Sequence, residues 1–260
     1  MIAHRALWSA PWAGVLVLMA RQGRHTLAVL KTPRTLMLLA LSALLIAGNW
    51  TLYVWAVAQG RVLEGSLGYY INPLMNMAVG AILFRERLDG VGWSAIALTV
   101  VGVGVQALAL GHPPYISLAL ALTFTGYGLI RKQVQADAQT GLFVECLVLA
   151  APALAYIVWL RQTGAGHFLD HAAPTLLLLL AGPVTVVPLM LFSWAARRLP
   201  LSTIGFLQFI GPTMGFVIGV ESGESLTPLR MVSFGFIWAG VLVFAIGAWR
   251  KTRGLRPAAA

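Results

Sequence analysis

In the apolar stretch LGYYINPLMNMAVGAILF, Tyr69, Asn72 with Pro73, Asn76 and Gly80 recur three and four residues apart. That spacing places side chains on one face of a helix. Amides and a phenol donate and accept hydrogen bonds, so the chemistry on offer is recognition of a polar solute. Ionisable side chains are fewer. His4, Arg5 and Glu145 lie within or at the ends of apolar segments. A charge at the centre of a bilayer costs several kcal/mol, so such residues are expected to pair or to serve transport. Asn49, Trp50, Tyr53 and Tyr127 form a secondary polar set. The sequence carries no metal-ligand spacing, no cofactor motif and no nucleophile with its base, so enzyme chemistry is not expected. The glycines of GVGVGV, Gly102 and Gly104, sit inside an apolar run with no lysine after them, which suits helix packing and not a phosphate loop.

The elements that must position these residues are membrane helices. Hydrophobic residues make up 59% of the 260-residue chain and charged residues 10%, with a mean hydropathy of +0.82. A soluble domain carries about 25% charged residues. Apolar runs long enough to span, about 17–25 residues, are read at 3–20, 35–55, 63–84, 88–110, 114–130, 141–160, 174–196, 199–220 and 229–249. The expected class is therefore an all-α integral membrane protein of nine transmembrane helices. The connections are too short for a soluble domain. The single cysteine, Cys146, excludes an intrachain disulfide.

The formal net charge of +10 follows loop position. One set of alternate connections holds Arg21, Arg24, Lys31, Arg34, Arg85, Arg87, Arg131, Lys132, Arg197, Arg198, Arg250, Lys251, Arg253 and Arg256; the other holds Arg61, Arg161 and Arg230. Basic loops face the cytoplasm. This bias places Lys251 inside and the 111–114 turn outside, and it makes nucleic acid an unneeded explanation of the charge. With nine crossings the N-terminus falls outside. A signal peptide is disfavoured, because the stronger basic cluster, RQGRH, follows the first apolar run.

The chain also repeats itself. VWAVAQGRVLEGSLGYYINPLM aligns without a gap on SWAARRLPLSTIGFLQFIGPTM, with Trp55 on Trp194 and Pro73 on Pro212 at an offset of 139. The copies fall on the third and eighth runs, an odd separation, and so cross in opposite directions. Inverted repeats mark secondary transporters, whose sites lie near the midplane at the repeat interface. The second repeat, 114–249, has five helices. The first, 1–110, has four, with 250–260 a basic tail. An ancestral five-plus-five pattern lacking its first helix is expected, through a late start, a truncation or a loss. Under this register Tyr69 matches Gln208, and Asn72, Asn76 and Gly80 match Gly211, Gly215 and Gly219. Small residues at that spacing let backbones approach. Pro73 and Pro212 each remove a backbone donor and are expected to open their helices. His4 matches Glu145, and the two are expected to approach each other. The plainer alternative, that these amides only bond neighbouring helices, corresponds to about 0.6 kcal/mol per bond.

These features resemble the drug/metabolite transporter superfamily, in its EamA group. The strings AHRALWS, GNWTLYVWAV, LEGSLGYYINPL, YGLIRKQVQADAQTG and RLPLSTIGFLQFIGPT are similar to those of the RarD subfamily. The resemblance implies a carrier of the bacterial inner membrane, moving a small organic solute or drug-like metabolite by alternating access. Its partners are then the solute, the bilayer and a coupling ion, for which a proton is the candidate. A homodimer is a candidate assembly. A non-transporting sensor or assembly protein and a lipid-modifying membrane enzyme are the alternatives.

Overall fold

The structure, a computed structural model, describes residues 1–164, 168, 172–221 and 227–254. Its helices are α1 (Ile2–Met19), α2 (Gly23–Leu30), α3 (Pro33–Ala58), α4 (Val62–Leu83), α5 (Gly90–Ala109), α6 (Tyr115–Gln133), α7 (Ala138–Gln162), α8 (Ala172–Ala196), α9 (Leu201–Gln208), α10 (Ile210–Glu221) and α11 (Pro228–Gly254). Among the described residues, six stretches are long and apolar enough to cross a membrane: α3, α5, α7, α8, Leu201–Ile218 across α9 and α10, and most of α11. The expected runs 3–20, 63–84 and 114–130 are helical as α1, α4 and α6. These three carry more of the polar residues, among them Arg5, Glu64, Asn72, Asn76 and Arg131.

Helix boundaries follow local chemistry. Asp89, in extended conformation, accepts the Gly92 N–H at 2.9 Å and so caps α5. Thr227 accepts the Arg230 N–H at 3.3 Å and starts α11 in the same way. Gly60 and Gly111 adopt φ of 73° and 71° just past α3 and α5, a left-handed turn that costs glycine nothing.

Two expectations about helix breaks are corrected. Pro73 lies inside a continuous α4 and does not open it. The break in the matching segment falls at Phe209, not at Pro212. There the Phe209 N–H reaches back to the Phe206 carbonyl at 3.2 Å, a tightened last turn. Pro212 sits in the first turn of α10, where a missing N–H costs no helical bond. A third difference is α2, which folds within the basic connection after the first run. Its buried Val29 joins a core with Leu39, Val134, Ala136 and Val144.

The chain divides into two compact units: Met1–Leu52 with Gly126–Arg198, and Tyr53–Thr125 with Leu199–Ala260. In the first, α1 packs on α7 and α8. Gly182 makes this possible, since a Cβ there would lie 2.5 Å from the Trp8 carbonyl oxygen. In the second, α5 runs along α11 and α4 packs on α9. Gly102 lies against the Ser233 carbonyl and Gly240 against the Ala95 carbonyl, so small residues set a close crossing of α5 and α11. The Ser233 hydroxyl donates to the Gly102 carbonyl at 2.7 Å across that crossing. The packed pairs are thus α1 with α7 and α8, α4 with α9, and α5 with α11.

Candidate functional site

Polar groups gather at two places, one in each unit. In the first unit the centre is an ion pair between Arg131, in the last turn of α6, and Glu145, two turns into α7. Arg131 is fully buried and Glu145 is 2% exposed. The Arg131 Nη1 lies 3.7 Å from the Glu145 Oε1. The Ser42 hydroxyl on α3 donates to that oxygen at 2.6 Å. On the other side, the Arg131 Nε donates to the Ser193 Oγ on α8 at 3.0 Å, and its Nη2 donates to the Ala138 carbonyl at 3.0 Å. The Tyr127 hydroxyl lies 3.2 Å from the same Ser193 oxygen. Gly141 makes room for the guanidinium, because a Cβ there would overlap the Arg131 Nη1. Two buried atoms of the pair, the Arg131 Nη1 and the Glu145 Oε2, have no hydrogen-bond partner among the described residues. Buried polar atoms left this way mark places where water, an ion or a ligand belongs.

The other expected ionisable residues sit elsewhere in this unit. The Arg5 Nε donates to the Thr185 Oγ1 at 2.7 Å, and its guanidinium lies 4.1 Å above the Trp50 ring. A cation over an indole face is held by the ring quadrupole. His4 and Glu145 are not brought together, a correction to the expected approach. His4 packs its ring on Phe168, with centroids 4.7 Å apart, while Glu145 turns to Ser42 and Arg131. Asn49 and Tyr127 are buried.

In the second unit the polar stripe of α4 is laid out in order. Gly68 faces Leu120 and the Ser117 carbonyl of α6. Asn72 accepts the Thr125 hydroxyl at 3.1 Å on its Oδ1. Asn76, with no exposed surface, donates from its Nδ2 to the Gln208 Oε1 at 2.6 Å. The Asn76 Oδ1 has no partner among the described residues. Gly80 faces the Glu86 carboxylate and the Ser202 N–H. Glu86 accepts the backbone N–H groups of Leu201 and Ser202 at 2.7 and 3.0 Å, and so caps α9. At the other end of α4, Glu64 is buried, 3.0 Å from the Arg61 Nε and 4.0 Å from the His112 Nε2.

Two of the expected residues, Tyr69 and Gly211, are placed differently. Tyr69 is 46% exposed and packs edge-on against Tyr53. The buried face is centred on Gly65, Gly68, Asn72 and Asn76, so Tyr69 lies to one side of it. Gly211 meets nothing within 4 Å among the described residues, so no described backbone approaches it. The close approach on that segment belongs to Gly205, where a Cβ would lie 2.6 Å from the Pro73 carbonyl oxygen. The surroundings of Gly215 and Gly219 lie outside the described residues.

No family model matches the sequence. Individual proteins do. An uncharacterized transporter of Vibrio cholerae is 41% identical over 260 residues, covering 99% of this chain and 86% of its own. Protein RarD of Salmonella typhi is 44% identical over 250 residues, 95% of this chain and 85% of its own. A crystal structure of 20% identical sequence superposes with a TM-score of 0.63 over 96% of this chain and 88% of that one, which shows a shared fold. With long apolar helices, buried polar clusters and relatives of this closeness, the chain belongs to the RarD family of multi-pass membrane transporters.

Proposed function

We propose that the protein is a secondary carrier of the EamA group that moves a small organic solute by alternating access. The carrying observation is the Asn76 Oδ1: a fully buried acceptor without a partner among the described residues, on the helix crossing where α4 meets its repeat counterpart α9. An unmet acceptor in lipid-buried protein costs free energy unless a ligand supplies the donor. The solute is accordingly one that presents an N–H or O–H group. The five-plus-five inverted repeat fits the matching caps at Asp89 and Thr227 and the packing of matched helices on each other. Under this reading the nine apolar runs all cross, and Glu145 carries the coupling proton. As in other secondary carriers, an ion or solute gradient supplies the drive under this reading.

Asn72→Ala and Asn76→Ala should each slow solute flux into liposomes about five-fold, the worth of one hydrogen bond of about 1 kcal/mol. Alanine keeps the helix, and the Thr125 hydroxyl released in Asn72→Ala can turn to its own backbone. Thermal stability in detergent should therefore hold. A panel of small amines, alcohols and carboxylic acids supplies the solutes. Normal flux, or flux lost only together with folded protein, would show that these amides are helix glue.

The orientation follows from the basic loops: bacterial inner membrane, with the C-terminus in the cytoplasm. With Cys146 replaced by serine, a cysteine at position 251 should resist a membrane-impermeant maleimide in intact cells, and one at position 112 should react. Ready external labelling at 251 would reverse the orientation.

A further inference from the structure

Along α8, Leu177, Leu180, Val184, Val187, Leu191 and Trp194 are exposed at alternating steps of three and four residues. The next step of the same face is Arg198. One side of the helix is thus a continuous apolar track that ends on an indole and a guanidinium. A cleft of about 450 Å³ opens at this end, walled by Trp194, Arg197, Arg198 and the first turn of α7. The Arg197 Nη1 donates to the Val134 carbonyl at 2.9 Å and to the Ala136 carbonyl, which fixes that side chain as one wall. Arg198 lies 4.4 Å over the Trp194 ring and donates to the Trp194 carbonyl at 3.3 Å. Each guanidinium keeps further N–H donors for an anion. The carboxylate in the cleft, Asp137, is answered locally: its Oδ2 accepts from the Gln22 Nε2 at 3.2 Å and lies 3.7 Å from the His25 Nε2.

We propose that this track and cleft hold an anionic glycerophospholipid, with its phosphate between Arg197 and Arg198 and an acyl chain along Leu191 and Val187. Three features select that occupant. Guanidinium forks match phosphate oxygens in pairs. The descent from Arg198 to Val187 is about 16 Å at 1.5 Å per residue, close to the hydrocarbon depth of one leaflet, about 15 Å. Trp194 stands between the two, where indoles gather at the membrane–water boundary. A zwitterionic headgroup would bring its own cation to the arginine pair, so an acidic lipid is preferred. The proposal needs only a membrane around α8, and it stands or falls apart from any contact between Asn76 and solute.

Full-length protein in detergent, exchanged with phosphatidylglycerol or phosphatidylcholine and weighed by native mass spectrometry, tests the site. Each basic residue at a membrane surface is worth about five-fold in acidic-lipid affinity. The wild type should retain phosphatidylglycerol over phosphatidylcholine, and Arg198→Gln should lower that preference about five-fold. Arg198→Lys, which keeps the charge, should restore most of it. Arg161→Gln, in the last turn of α7, should leave it unchanged. Arg198 carries the test because its recorded contacts are with Trp194, whereas Arg197 also holds the α6–α7 turn. Equal retention of the two lipids, or a preference untouched by Arg198→Gln, overturns the proposal. Displacement of phosphatidylglycerol by millimolar inorganic phosphate would make the cleft a free-phosphate site and would overturn it as well.

Discussion

Arg131→Ala and Glu145→Ala should each destabilise the protein by about 3–5 kcal/mol, because either change strands a buried charge without its counterpart. Both side chains are enclosed, and among the described residues their surroundings hold hydroxyls and one carbonyl but no second charge within ion-pair distance. Midpoints of thermal unfolding in detergent should fall sharply for both single variants. The double variant Arg131→Met/Glu145→Leu behaves differently. It removes both charges and fills similar volume, and such replacements are often neutral or stabilising. Most of the loss should therefore be recovered. That recovery separates structure from function. If Glu145 carries the coupling proton, the folded double variant should bind solute yet no longer move protons with it across a liposome membrane. Proton movement equal to the wild type in that variant would make the pair a structural clamp only.

Gly205→Leu should cost the protein its folded state in the second unit, while Gly211→Leu should not. The two positions are only six apart. At Gly205 a Cβ already meets the Pro73 carbonyl oxygen at 2.6 Å and the Met77 side chain at 2.8 Å. Leucine there would push α9 from α4, and it would strain the Asn76–Gln208 bond one turn further on. Overpacking of this kind costs about 1–3 kcal/mol or more when backbone blocks the way. At Gly211 no described atom lies within 4 Å, and leucine is also the better helix former. Its effect should stay within about 0.5 kcal/mol, as for other exposed sites. Expression level and unfolding temperature of the two variants decide the matter. Equal damage at both would mean that Gly211 faces a neighbour after all.

The contrast also shows what a sequence can and cannot reveal here. Apolar runs depend on composition alone, so the helices could be read with boundaries good to a few residues. The face of α4 that carries Asn72 and Asn76 was readable from spacing. Its centre was not, because helical periodicity allows the neighbours 68 or 69 equally, and only the approach of Ser117 and Leu120 to Gly68 selects one. Gly205 gave no signal in the repeat, where it matches Ser66. Arg131 was read as a loop charge because it follows an apolar run and precedes Lys132. Its burial depends on Glu145, Ser42 and Ser193, which arrive from three other helices. The break at Phe209 was displaced from the expected proline for a local reason: a helix start tolerates proline, so the last turn of α9 ends before it.

The division of the chain into units has a consequence for its synthesis. Neither unit is a single stretch of sequence; two boundaries fall inside α3 and α6 and the third between α8 and α9. Met1–Leu52 is translated ahead of Gly126–Arg198 and lacks those packing partners until they have emerged. At about 5–20 residues per second, the delay lasts seconds. Throughout that interval the helix face of α1 destined for α7 and α8 is open to lipid or to the insertion machinery. Arg131 and Glu145 enter the nascent chain close together, ahead of Ser193, so the pair can neutralise itself before the last hydroxyl arrives. An insertion factor that shields incomplete helices should therefore be needed most between the emergence of α3 and that of α8, and pausing of the ribosome in this window should favour correct assembly over degradation.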